Sequence, residues 1–226
     1  DAGAAGTGSA IEIPVFAFSN STPGSGPLDG YAWQMPAAFG TCPSTPDALV
    51  ARPSGLDART LADEARAVDW AGAPGLDYTV ALPAAGDYVV AVCGCAPQLT
   101  MDEVAGSPAP GGDAASSAEK NASIFVGVNG GPAASDGLGQ ILPISGFAAA
   151  PGYTWQSRWL DSATGTTGAV TVNAAEPGTQ TIHLWMADDG LIVYSLRLTP
   201  LAAANVEPGT AAEACGPSLE AAPAEQ

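Results

Sequence analysis

Five residues carry side chains suited to holding a sugar: Trp33, Tyr153, Trp155 and Trp159 with broad ring faces, and Asn129 with an amide. Aromatic faces stack on the C–H faces of a sugar ring, and a few polar groups then read its hydroxyls. Tyr153, Trp155, Ser157 and Trp159 stand two apart, so a strand through residues 153–160 (YTWQSRWL) turns them all to one side. Trp33, on the short aromatic segment 31–35, completes a platform. The same spacing also suits rings turned into a core. Asn129, beside Gly130-Gly131, equally suits a turn that takes left-handed backbone.

Residues for catalysis are scarce. His183 is the one histidine, so any Ser-His-Asp triad must use it, and no G-x-S-x-G elbow supports one. Asp188-Asp189 is a pair of acids, but neighbours on a turn point apart. Glycosidase carboxylates face each other across a cleft of roughly 5–10 Å. The Gly-rich stretches 127–131 and 137–139 lack the following Lys and helix of a phosphate loop. Binding is therefore expected, and no enzymatic activity.

Four cysteines, Cys42, Cys93, Cys95 and Cys215, allow three pairings if two bridges form. Cys93-Gly94-Cys95 lacks the C-x-x-C spacing of zinc or thioredoxin-like sites. On a strand both thiols share a face, and a bridge between them would be strained. Each is expected to reach a distant partner, which pins Cys42 and Cys215 to one strand. Such bridges indicate an oxidising, secreted or cell-surface setting. Asn20-Ser21-Thr22 and Asn121-Ala122-Ser123 match the glycosylation sequon.

The 226 residues include 23 acids and 6 basic residues, a formal net charge of −17. Nucleic acid and anionic membrane are poor partners for such a chain, because both need Lys and Arg. No apolar run of 18 residues occurs, so no transmembrane helix is expected. The start at Asp1, without Met, reads as a mature secreted chain or a trimmed one.

These residues need strands to position them. Residues 179–200 (TQTIHLWMADDGLIVYSLRLTP) read as two strands around Asp189-Gly190, a strong hairpin signal. Further strands are expected at 11–18 with Pro14 at an edge, 77–82, 87–95 and 123–129. Residues 61–68 could form a helical turn or two, and 101–120 reads as a low-complexity loop. Some nine short strands with Gly/Pro turns and almost no helix indicate an all-β sandwich. Residues 1–10 read as a flexible leader, 11–200 as the sandwich domain, and 201–226 as an Ala/Pro/Glu-rich tail tethered at most through Cys215.

Four segments, in order, carry a resemblance. They are Leu82-Pro83-Ala84-Ala85-Gly86-Asp87-Tyr88, Ser123-Ile124-Phe125-Val126-Gly127-Val128-Asn129-Gly130, the strand bearing Trp155 and Trp159, and the Gly178-Thr179 strand leading to Asp189-Gly190-Leu191. Over about residues 77–200 the chain resembles galactose-binding-like jelly-roll β-sandwiches, including carbohydrate-binding modules of secreted bacterial proteins. The resemblance implies binding of polysaccharide or glycan. It also implies one structural calcium held by acids of the first and last strands, here Glu12 with Asp188 or Asp189. Where the family's last strand often carries an aspartate, this chain has Tyr194 or Ser195. The alternative expectation is a structural subunit of an extracellular filament, sheath, surface layer or envelope complex. Its partners would be neighbouring subunits, including copies of itself, and strand 11–18 could complete another subunit's sheet.

Overall fold

The computed structural model of the chain describes residues 9–36, 42, 45–53, 70–96, 123–133, 142–147, 152–161, 166–188, 190–204 and 213–216. The first eight strands are β1 (Ile11–Pro14), β2 (Asn20–Thr22), β3 (Tyr31–Gln34), β4 (Leu49–Pro53), β5 (Gly75–Leu82), β6 (Gly86–Cys95), β7 (Ile124–Val128) and β8 (Gly131–Pro132). The other seven are β9 (Tyr153–Gln156), β10 (Arg158–Asp161), β11 (Thr166–Ala169), β12 (Thr171–Ala174), β13 (Gly178–Met186), β14 (Ile192–Pro200) and β15 (Ala214–Cys215). Three short 3-10 turns are the other regular elements among the described residues. The expected all-β class holds.

The strands form two antiparallel sheets. The front sheet runs β15-β9-β6-β14-β4-β3, with β1 also paired to β14 and β12 to β6. The back sheet runs β2-β5-β13-β7-β8. Bridges from Ile124 to Ile144 and from Ile144 to Trp159 carry it on to the β10-β11 pair.

Period-two patterning explains the layers. In β5, Leu76, Tyr78, Val80 and Leu82 are buried while Thr79 and Ala81 are exposed. In β1, Ile13 points inward, and Glu12 and Pro14 point out. The inward residues of the front sheet include Tyr88, Val90, Val92, Leu196 and Leu198. They meet Tyr78, Val80, Val126, Ile182 and Leu184 of the back sheet in one cluster. Each buried Val, Leu or Ile there contributes about 1.5–3 kcal/mol. The Tyr78 hydroxyl donates to the Val15 carbonyl at 2.9 Å, and burial pushes its phenol well above the usual range.

Three expectations need correction. Asp189-Gly190 does not close a hairpin: β13 lies in the back sheet and β14 in the front. Both edges of β13 are taken by β5 and β7, and those of β14 by β6 on one side and β1 and β4 on the other. The connection therefore crosses the sandwich, with Gly190 at φ +84 donating its N–H to the Ala51 carbonyl. Residues 153–160 are not one strand either. The pairing breaks at Ser157, so β9 stays in the front sheet and β10 enters the back sheet. The first strand stops at Pro14, and Val15–Ala17 coil into a 3-10 turn that buries Val15. The expected helical turn at 61–68 and loop at 101–120 lie outside the described residues.

Candidate functional site

The outer face of the front sheet is where side chains and space come together. Ile13, Val193, Leu196 and Leu198 point inward, whereas β14 carries a bulge between Val193 and Ser195. A bulge opposes two residues to one and re-aims their side chains. Tyr194 and Ser195 both line a hollow of about 490 Å³, together with Glu12, Pro14, Phe16 and Asp47 among the described residues. The hollow opens where β14 exchanges one neighbour for another. β4 pairs with Ile192 and Val193, and β1 takes over from Ser195 onward.

Two disulfides frame this face. Cys42–Cys95 and Cys93–Cys215 have Cα separations of 5.9 and 6.1 Å. Both start from β6, as Cys93 and Cys95 share its outer side, and each reaches a distant partner. The first bridge holds the segment leading into β4, which bears Asp47. The second holds β15 against β9. Around the sulfurs pack Ala48, Val50, Tyr153 and Ile192, with Trp155 and Tyr194 at the border. Tyr153 and Tyr194 lie 5.6 Å apart between centroids. Burial first, and the neighbouring Tyr194 second, push the Tyr153 phenol up to about 12.

The walls offer distinct chemistry. Phe16 is 41% exposed, a large ring left open to solvent. Glu12 and Asp47 present carboxylates, and both residues are exposed. Ser195 is only 3% exposed, and its Oγ is buried without a hydrogen-bond partner among the described residues. An unsatisfied buried hydroxyl costs roughly 1–3 kcal/mol.

The five aromatic and amide residues singled out in the sequence do not converge. Tyr153 and Trp155 sit on the front face, but Tyr153 is buried and Trp155 is roofed by Arg197, whose guanidinium carbon lies 4.2 Å from the ring centroid. Arg197 also donates to Glu213 at 2.9 Å. Trp159, beyond the break at Ser157, packs against the central core. A Cβ on Gly168 would come within 2.6 Å of its ring. Trp33 donates from Nε1 to the Pro74 carbonyl at 3.0 Å and borders two buried clusters. Asn129 is on the back sheet at φ +49, where Oδ1 accepts from the Thr181 N–H and Nδ2 donates to Gln180. Its turn role is thus visible.

Phe16, Asp47, Tyr194 and Ser195 were not singled out as binding residues. One signal existed: Glu12, Pro14 and Phe16 alternate in IEIPVFAF, opposite Ile11, Ile13 and Val15. The bulge that brings Tyr194 and Ser195 to one side leaves no such mark.

Calcium does not fit the described acids. Glu12 is on the front sheet. Asp188 follows β13, is buried and accepts from the Ser123 hydroxyl. Asp189 lies outside the described residues. Among the described residues no three His, Cys, Asp or Glu gather at one point, whereas Ca²⁺ takes six to eight oxygens.

The back sheet's outer face holds the one histidine. His183 Nδ1 lies 2.7 Å from Asp77 Oδ1, and Nε2 accepts from the Gly130 N–H at 2.8 Å. Nδ1 therefore carries the proton and donates it to Asp77. Asn20 donates to the other Asp77 oxygen. The imidazole stacks on Trp185 at 4.9 Å and 8°. Both ring nitrogens are engaged, which leaves neither free to act as a base.

No protein-family model and no curated protein matches the chain. Among solved structures it is similar to the C-terminal CBM6 of LamC, a marine laminarinase from Zobellia galactanivorans. The TM-score is 0.41 at 11% identity, over 84% of this chain and 99% of that one. It is also similar to a family 35 carbohydrate-binding module from Clostridium thermocellum, with TM-score 0.42 at 11% identity, over 85% and 99%. A third is the isomalto-dextranase of Arthrobacter globiformis T6 complexed with panose, with TM-score 0.40 at 11% identity, over 84% of this chain and 23% of that one.

Proposed function

We propose that the chain is a non-catalytic, extracytoplasmic carbohydrate-binding module, with its sugar seated in the hollow between β1 and β4. The observation that carries this reading is that hollow itself, opened beside the β14 bulge and lined by an exposed aromatic ring and two carboxylates. Around it stand the groups that sugar binding uses. Phe16 and Tyr194 offer ring faces for C–H stacking, and Glu12 and Asp47 accept hydrogen bonds from hydroxyls. A volume of about 490 Å³ lies in the range of small-ligand sites. The two disulfides suit an oxidising compartment, and the engaged His183 supports a binding role over a catalytic one.

Isothermal titration with a panel of short oligosaccharides tests the proposal, using the wild type, Phe16→Ala and Ser195→Ala. Saturable binding that weakens at least tenfold in Phe16→Ala, with unchanged thermal unfolding, supports it. Full-strength binding in both variants, or none to any sugar, overturns it.

A structural-subunit reading has one observation in its favour. β2 pairs only with β5 among the described residues, and Asn20–Thr22 are all exposed. Such an edge can accept a strand from a second chain. Light scattering on the same sample separates this reading from the first: defined large assemblies would favour it.

A further inference from the structure

We infer that His183 is a pH-sensitive latch on the turn between β7 and β8: neutral, it holds the turn down, and on gaining a proton it lets the turn go. The turn is the two-residue loop Asn129-Gly130, set between the paired residues Val128 and Gly131. Both loop residues have positive φ, +49 and +89, as two-residue hairpin loops require. The loop is tied to β13 in two ways. Asn129 donates its N–H to the Thr181 carbonyl at 2.8 Å, accepts from the Thr181 N–H at Oδ1, and donates from Nδ2 to Gln180. Gly130 donates its N–H to His183 Nε2 at 2.8 Å.

The Gly130 bond depends on charge, and the Asn129 bonds do not. A backbone N–H only donates, so Nε2 must present a lone pair to it. It does so while Nδ1 carries the ring's single proton, and Asp77 Oδ1, 2.7 Å from Nδ1, fixes that tautomer. A second proton can go only to Nε2. Two donors then face each other at hydrogen-bond distance, and the bond to Gly130 is lost. The Asp77 contact moves the other way, because an imidazolium gives a carboxylate a stronger, charge-assisted bond. Protonation therefore tightens His183 against β5 and frees the turn.

The surroundings confine the effect. The imidazole faces Asp77 of β5, the Gly130 amide of the turn and the Trp185 ring stacked on it at 4.9 Å. Asn20 of β2 takes the other Asp77 oxygen at 2.9 Å, and Trp70 lies against Trp185. Gly127 of β7 stands across from His183 in the sheet and brings no side chain. Among the described residues, Asp77 is the one charged group in contact with the ring. Gly130 is exposed and has no Cβ, so its N–H can turn to water without strain. Asn129 keeps its bonds to β13, and the release is limited to Gly130 and the two residues of β8 that follow it. The latch works whether or not the opposite face binds a sugar.

Solution NMR of the full chain tests the latch, titrated downward from about pH 8 through the range in which histidines gain charge. A scalar coupling between the Gly130 nitrogen and His183 Nε2, carried across the N–H···N bond, is expected at the start. It should vanish as the ring protonates, which the His183 Cε1–H shift reports separately. Over the same step the Gly130 amide should lose exchange protection about fivefold, the scale of one neutral hydrogen bond, while the Asn129 and Thr181 amides keep theirs. In His183→Gln the Gly130 signals should no longer respond to pH. A coupling that survives protonation overturns the inference, as does a ring that stays neutral down to the pH at which the chain unfolds. So does a Gly130 response that persists in folded His183→Gln, or one that takes the Asn129 and Thr181 amides with it. Should His183→Gln not fold, the wild-type titration decides alone, because the ring reports its own charge.

Discussion

The two outer faces of the sandwich solve the same problem in opposite ways. On the back sheet, Trp185 lies across its neighbours with only 7% of its surface exposed. Glycines on both flanking strands make room for it: a Cβ on Gly75 would meet its ring at 2.8 Å, and one on Gly127 would overlap it. His183 and Trp70 stack against it, at 4.9 and 4.6 Å. Both ring nitrogens of His183 and both carboxylate oxygens of Asp77 have partners. On the front sheet, a comparable aromatic-rich face is braced by disulfides but left open, with Phe16 exposed and Ser195 Oγ without a partner among the described residues. A closed face with satisfied polar groups adds stability. An open one that forgoes such contacts is available for a ligand.

The sharpest way to break this comparison is Trp185→Ala. Removing a ring packed between two glycines is expected to cost about 3–5 kcal/mol, read by chemical denaturation, with sugar affinity of the folded protein unchanged. A large loss of affinity would show that the two faces are coupled. The Cys42→Ala/Cys95→Ala pair comes next, costing about 2–4 kcal/mol. Here affinity is expected to fall too, because the bridge holds the segment that bears Asp47. Retained affinity would mean that Asp47 is dispensable.

Phe16→Ala inverts the pattern. Its ring is already 41% exposed, so stability is expected to fall by no more than about 1 kcal/mol, while sugar affinity falls about tenfold. The smallest effect is assigned to Arg197→Ala, at most about 1 kcal/mol of stability for a partly exposed ion pair and cation–π contact. Its readout is Trp155, which should become more accessible to a soluble quencher. An unchanged quenching profile would show that Arg197 is not the roof.

Alkali offers a further probe of the braced side. The phenol of Tyr153 is raised from 10.0 to about 12 in the folded chain. Its neutral form is favoured by folding, so its stabilisation is complete below pH 10 and disappears as pH rises through 12. Ultraviolet titration should find this phenol ionising later than exposed ones.

Class and layering were legible in the sequence because alternation records which side of a strand is wet. Leu76, Tyr78, Val80 and Leu82 announce the core in this way. Sheet membership was not legible. Asp189-Gly190 specifies a reversal of the chain, but it does not record that β5 and β7 already occupy β13. Ser157 looks like any other position in YTWQSRWL, yet there the chain leaves one sheet for the other. Trp155 and Trp159 therefore face different surroundings despite their even spacing. The candidate site was half legible: Glu12, Pro14 and Phe16 share a period, whereas Tyr194 and Ser195 are joined to them only by a bulge.

Cys93 and Cys95 stand two apart on one strand face, separated by Gly94, which a side chain could not replace without striking Phe147 at 2.8 Å. For oxidative folding this arrangement is a register hazard. Exchanging the two partners would place Cys42 and Cys215 each one strand repeat away, roughly 7 Å, from its native anchor. Both scrambled bridges would be covalently sound, so chemistry alone cannot reject them. Strand register is what distinguishes the native pairing, and a disulfide-shuffling catalyst would act on this chain as a proofreader of strand alignment.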